Sequence, residues 1–263
     1  MTNPPILAHK DHKARSTFTP ENLLREARRQ KRLTESPVPL VCVLDPDGDL
    51  VRQLARDGRA VRDPAWACYH TELYRVPGRI GLGIIGCAVG APFAVLIAEE
   101  LFASGCGLLI SMTSAGQLTP LRPPPYFVLI DKALRDEGTS YHYLPPSEFS
   151  HADTRMIERI AKGFTGSGLA VERGATWTTD APFRETENAI SAMRDKGLLA
   201  VEMEAAALYA FATARSKPVL CFAHVTNQMA LLEGDFEKGE ADGSVEALAV
   251  IYAAAQAWSA GDV

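Results

Sequence analysis

The chain has 263 residues, 47% of them hydrophobic, and 27 basic against 32 acidic residues give a net charge of −5. That length and apolar content suffice for one large α/β domain, and the acid excess leaves no basic surface for a nucleic-acid backbone, so the expected partner is a small molecule. Five scattered cysteines (Cys42, Cys68, Cys87, Cys106, Cys221) without metal-ligand spacing, a polar N-terminus and no run of about 18 apolar residues predict reduced thiols, no metal site, no membrane span and a cytoplasmic protein.

In chain order, residues 1–36 read as an N-terminal extension. Within it a helix opened by Thr19-Pro20-Glu21 carries Arg25, Arg28, Arg29, Lys31 and Arg32, a solvated face or an arm against a neighbouring subunit, and it ends before Pro37 and Pro39. Residues 37–263 form the main domain. An apolar β-rich run at 38–44 leads into the turn Asp45-Pro46-Asp47-Gly48-Asp49, and helical spacing resumes over 50–56. A buried strand at 80–89 precedes a helix at 91–103, and strands follow at 107–112 and 126–130. Helices are predicted over 154–165 and 188–196, then a strand gives way to a helix at 204–214, with a late strand at 219–225 and a final helix at 244–260. Residues 231–243, rich in Glu, Asp and Gly, read as a loop or lid. Strands alternating with helices predict a single α/β domain, a central mixed sheet flanked by helices on both faces, with its site at the carboxyl ends of strands.

Gly81-Leu82-Gly83-Ile84-Ile85-Gly86 satisfies the spacing of a dinucleotide fingerprint. That fingerprint needs its glycines in a turn and an acidic residue about 20 positions later on a second strand. Here they alternate inside an apolar run and Glu99 and Glu100 fall within the following helix, so the glycines read as close packing within a strand. No organic cofactor is expected.

The most informative stretch is Val201-Glu202-Met203-Glu204-Ala205-Ala206-Ala207-Leu208. It places two carboxylates where a strand meets a helix whose Ala206, Leu208, Ala210 and Phe211 point inward. Such carboxylates serve as solvated caps on a helix N-terminus, or they hold a vicinal diol such as that of a ribose, accepting two charge-assisted hydrogen bonds.

This stretch resembles the ribose-binding signature of the nucleoside phosphorylase and nucleosidase superfamily. Three further motifs occur in the family's order: Gly90-Ala91-Pro92 leading to Glu99-Glu100-Leu101, Thr113-Ser114-Ala115-Gly116, and Thr178-Thr179-Asp180-Ala181-Pro182-Phe183. The resemblance implies cleavage of a nucleoside N-glycosidic bond with release of free base, and assembly as a homo-oligomer. It places Glu202, Met203 and Glu204 at the ribose, with Glu204 on the 2′ and 3′ hydroxyls, and Thr113, Ser114 and Gly116 in the region of the acceptor, which is inorganic phosphate or water. Asp180, Phe183 and Arg184 fall at the base.

The chain departs from the phosphorylases where they grip phosphate. Leu50 and Ser111 stand where arginines would be, and no arginine lies near Ala67, the place of one lent by a neighbouring subunit. Hydrolysis then needs a base, for which Asp47 or Asp49 is placed, although both residue types also form turns for their own sake. Thr226-Asn227 replaces the aspartate that protonates a leaving purine, and Asn227 can donate a hydrogen bond but not a proton. His142, between two tyrosines, reads as structural, and Asp235-Phe236-Glu237-Lys238 as part of the lid. The other reading of these departures is a nucleoside-binding protein that keeps the fold without turnover.

Overall fold

The computed structural model describes residues 4–229 and 233–260. Its apolar runs build one mixed ten-stranded sheet: β1 (Val41–Asp45), β2 (Val61–Arg62), β3 (Tyr74–Val76), β4 (Leu82–Gly86), β5 (Leu108–Gln117), β6 (Tyr126–Asp136), β7 (Phe149–His151), β8 (Val171–Thr179), β9 (Ala200–Glu202) and β10 (Val219–Asn227). The helices are α1 (Pro20–Lys31), α2 (Asp49–Arg56), α3 (Ala91–Ala103), α4 (Ser140–Tyr143), α5 (Thr154–Phe164), α6 (Glu187–Asp195), α7 (Ala205–Arg215) and α8 (Ser244–Ser259).

β1 pairs in parallel with β4 and β5, β5 with β10, and β8 with both β6 and β9. Antiparallel ladders between β10 and β6 and between β5 and β9 then close the path β5–β10–β6–β8–β9 on itself. Closure explains why all nine residues of β10 are buried: its two edges are paired and its two faces covered, which suits the uninterrupted run Val-Leu-Cys-Phe-Ala. β1, β4, β3 and β2 extend the sheet outward from β5.

Helix α7 is buried from Ala205 to Phe211. Its alanines bring the backbone close to the sheet, and Tyr209 fastens it there, donating from its hydroxyl to the Ile130 carbonyl at 2.6 Å and accepting from the Cys221 amide at 3.0 Å. Two glycines shape the turns above the strand ends. Gly48, at φ 76°, lets the chain reverse between β1 and α2, and Gly90, at φ 89°, starts α3 with its amide free to bond elsewhere.

The 3.6-residue periodicities locate the long helices to within about two residues, whereas the strands differ more. β5 and β6 run well past the predicted 107–112 and 126–130, and β8 is a strand that the hydrophobic pattern does not reveal. Its sequence VERGATWTT interrupts apolar spacing with charges. Those charges sit at its open end, where Arg173 pairs with Asp131 and Glu172 with Arg122, while the threonines beyond are buried by hydrogen bonding rather than by apolar character.

Gly81 precedes β4, and Gly83 and Gly86 lie within it, so they form no phosphate-binding turn. A Cβ on Gly86 would stand 2.6 Å from the Val51 side chain, which is the close packing expected of them. In the N-terminal extension, Thr19 caps α1 by accepting the Asn22 amide, and Leu24 and Ala27 pack on Ala67 and Ala103. The basic face is largely self-paired: Arg25 and Arg29 bond Glu26, and Lys31 donates to the Ala67 and Cys68 carbonyls. Of the expected lid, residues 231 and 232 lie outside the described residues, and 233–243 contain neither helix nor strand. No helix among the described residues is long and apolar enough to cross a membrane.

Removing the Tyr209 hydroxyl leaves a buried carbonyl and a buried amide without their partner. Tyr209→Phe is expected to lower the unfolding free energy by about 1–3 kcal/mol, measured by urea denaturation against the parent protein.

Candidate active site

Strand β9 ends at Glu202, and the chain turns into α7 two residues later. The Glu202 carboxylate is 3% exposed and is surrounded by donors. One oxygen accepts the backbone amides of Glu204 and Ala205, both at 2.7 Å, and the other accepts the hydroxyls of Thr176, at 3.1 Å, and Thr178. Thr178 in turn accepts the Ala206 amide. The free amides of the first turn of α7 are thereby satisfied from inside the protein. Burial pushes the Glu202 carboxyl upward, against the four donors that favour its charge. With its lone pairs committed, Glu202 anchors the helix, which corrects the expectation of a solvated cap.

Glu204 occupies the position before α7 and is 1% exposed. One oxygen accepts the Gly90 amide and the other the Thr113 hydroxyl, each at 2.7 Å. These bonds join three strand ends, those of β4, β5 and β9, and they use two of the roughly four acceptor positions of a carboxylate. Burial, followed by the neighbouring charge of Glu202, raises its pKa to about 7. Met203, between the two glutamates, is half-buried.

A second acidic cluster lies in the first turn. Asp45 is buried at the end of β1 and accepts the Val51 amide at 2.9 Å, and burial together with Asp47 and Asp49 raises its pKa to about 7. Lys238 reaches in from the 233–243 segment to bond Asp47 at 2.8 Å and Asp49. Arg52 bonds the second Asp49 oxygen and the Asp47 carbonyl. Burial works against charge at Asp49, yet Lys238 and Arg52 outweigh it and hold that carboxyl below its ordinary value. Ser114, Lys238 and buried His224 line the same small cavity as the three aspartates. His224 stacks on Phe127, and burial, then Lys238, lowers its pKa to about 4, so it is neutral.

Thr113 and Ser114 are consecutive on β5 and so face opposite sides of the strand, one toward Glu204 and the other toward the acidic cavity. The 87–90 loop also connects the two clusters: Cys87 lies against the Arg52 guanidinium, and three residues later Gly90 holds Glu204.

The remaining predicted residues are distributed as follows. Gly116 pairs with Asn227 across β5 and β10, where a bulge ends the ladder. The Asn227 amide is engaged locally, donating to Thr226 and accepting from Met229. Leu50 is buried and apolar, and Ser111 is buried with its hydroxyl unpartnered. Asp180 accepts the Gly138 amide at 2.8 Å. Phe183, fully exposed, and Arg184, also exposed, project from a single 3-10 turn, Pro182–Arg184. His142 bonds Lys10 of the extension, a structural contact. Asp45 and His224 are not legible as site residues in the sequence, and Lys238 reads there only as part of the lid. Asp45 looks like a turn former, His224 lies within the apolar strand β10, and Lys238 is brought to Asp47 from 191 residues away in sequence.

Among solved structures, the fold is similar to an AMP nucleosidase from Bacteroides thetaiotaomicron, with a TM-score of 0.74, 18% identity, and coverage of 92% of this chain and 100% of that one. It is similar too to a uridine phosphorylase from Vibrio fischeri, with a TM-score of 0.70, 20% identity, and coverage of 85% and 94%. Residues 41–257 match the family described as the phosphorylase superfamily, and the chain belongs to that superfamily. A guanosine phosphorylase from Halorubrum lacusprofundi is 26% identical over 161 residues, 61% of this chain and 66% of the relative. The chain spans about half to two thirds of the length of the first curated relatives it matches.

Asp45 and Glu204 have ordinary pKa values of 3.8 and 4.5 that folding raises to about 7. The folded protein therefore prefers their neutral forms, and the stability this confers is fully present below about pH 4 and is lost as pH rises toward 7. Glu204→Gln keeps an acceptor for Gly90 and lets the Thr113 hydroxyl rotate. It is expected to flatten the fall in unfolding free energy between pH 4.5 and 7, followed by chemical denaturation across that range.

Proposed function

We propose that the protein cleaves the N-glycosidic bond of a nucleoside with water as acceptor, releasing free base. The observation that carries this reading is that both cations at the first turn are already committed to aspartates. A phosphate dianion arriving there would meet Asp45, Asp47 and Asp49 and find no free guanidinium to grip it. Water carries no charge to repel, and a carboxylate can take its proton.

In this reading Glu204 accepts hydrogen bonds from the 2′ and 3′ hydroxyls with its two remaining acceptor positions. As the C1′–N bond breaks, its electron pair leaves with the base and positive charge develops on the sugar, next to a buried carboxylate that binds this state more tightly than the ground state. Water adds its oxygen to C1′ and passes a proton to Asp47. Asp47 suits that role better than Asp49, because only one of its oxygens bonds Lys238 while both oxygens of Asp49 are engaged. In this reading Asn227, whose amide keeps a second N–H beyond the one on Thr226, donates it to the departing base.

Free base released from a panel of purine and pyrimidine nucleosides, resolved by chromatography with and without phosphate, tests this directly. Release independent of phosphate is expected. Phosphate-dependent release would replace water by phosphate as acceptor, and binding without release in either buffer would make the protein a nucleoside binder. Asp47→Asn is expected to lower kcat by about 10²–10⁴-fold, the range for loss of a general base, with a smaller effect for Asp49→Asn. Glu204→Gln is expected to lower kcat/KM by at least about 10²-fold.

A further inference from the structure

At the end of α7 remote from Glu204 lies a cavity of about 660 Å³ between the start of α5, the end of α7 and the end of α8. Its wall carries His151, Arg155, Arg159 and Lys217, while Met156 and the half-buried Trp258 contribute apolar surface. In a chain of net charge −5 this is a local concentration of positive charge. The only carboxylate in the wall, Asp153, is occupied as the cap of α5 and accepts the Met156 amide at 2.7 Å.

Two helix C-termini, those of α7 and α8, open onto the same space and would attract cations for their own sake. That accounts for Arg159, which reaches the Trp258 carbonyl at 3.5 Å. It does not account for Arg155, whose side chain has no hydrogen-bond or ion-pair partner among the described residues, or for Lys217, whose ammonium lies over the Phe102 ring at 5.4 Å and has no ion-pair partner among the described residues. Three cations lining one cavity against a single carboxylate leave an excess of positive charge that a bound anion would offset. Arginine forks match phosphate oxygens, and an indole beside them offers a face on which a flat heterocycle stacks.

We propose that this cavity is a second ligand site that takes a nucleoside phosphate, with its phosphates on Arg155, Arg159 and Lys217 and its base against Trp258. The site stands apart from the acidic clusters at the strand ends. Helix α7 joins the two, starting from Glu204 and ending at Ser216 on the rim of the cavity, a span of about 18 Å at 1.5 Å per residue.

Titration calorimetry of the full chain with ADP, adenosine and inorganic phosphate tests the assignment. ADP is expected to bind more tightly than either fragment. The double reversal R155E/R159E, at exposed positions, is expected to weaken ADP at least tenfold while Glu204→Gln changes its affinity less than twofold. If the double variant melts below the parent protein, K217E, also exposed, is measured in its place with the same expectation. The proposal is overturned if the parent protein does not bind ADP, if the charge reversals leave its affinity unchanged, or if affinity is lost in Glu204→Gln instead, which would put ADP in the nucleoside site.

Discussion

The Glu202 carboxylate is the constraint on which the site depends. It is taken out of water and given two backbone amides and two threonine hydroxyls in return, so that β8, β9 and the first turn of α7 meet at one point. Removing one of these donors would leave an acceptor position of a buried carboxylate unpaired, which costs about 1–3 kcal/mol. The rigidity so gained is passed to the residue two positions on. Glu204 inherits a fixed backbone, a second buried charge nearby and only two donors of its own, and the same burial that makes Glu202 structural leaves Glu204 with acceptor capacity and a titration near neutrality. Two carboxylates two positions apart thus take different roles according to how many donors each meets.

The acidic turn after β1 follows a different logic. Its aspartates are held by Arg52 from the same helix and by Lys238 from a segment almost at the end of the chain. That late segment is fixed at a second point, where the Glu237 amide donates to the Thr226 carbonyl at 2.7 Å. The first and last thirds of the domain are therefore joined across the strand ends by ionic contacts, where the rest of the molecule relies on apolar packing. Exposed ion pairs are worth little individually, and this one is half-buried, so it defines where the segment lies more than how stable the protein is.

Much of this arrangement is legible in the sequence, because the helices that bound the site carry strong periodic patterns and well-formed caps, as at Thr19 and Asp153. The Glu-Met-Glu junction is visible because it resembles the family's ribose-binding signature, acidic residues before a helix being otherwise ordinary caps. What separates Glu202 from Glu204 is not visible, since it depends on Thr176 and Thr178, on a strand whose pattern VERGATWTT hides its burial. Asp45 is hidden in the same way: a motif dense in Asp and Gly reads as a turn, and only burial by the covering elements distinguishes the aspartate that faces inward from the two that meet cations. Lys238 and His224 depend on long-range closure, which no local pattern encodes.

The closed strand circuit has a consequence beyond the site. A sheet presents unpaired amides and carbonyls along any strand that lacks a neighbour, and such an edge is a template on which another polypeptide can add. Here β5, β6, β8, β9 and β10 close on one another except along the first half of β8, which carries the paired charges Glu172 and Arg173, and the terminal positions fall to β2, of two residues, and β7, of three. β2 also carries Arg62, paired with Glu72. A chain with this much uninterrupted apolar strand, Val219 to Val225 above all, is thus protected from intermolecular strand addition by topology, with charge guarding the short stretches that topology leaves uncovered.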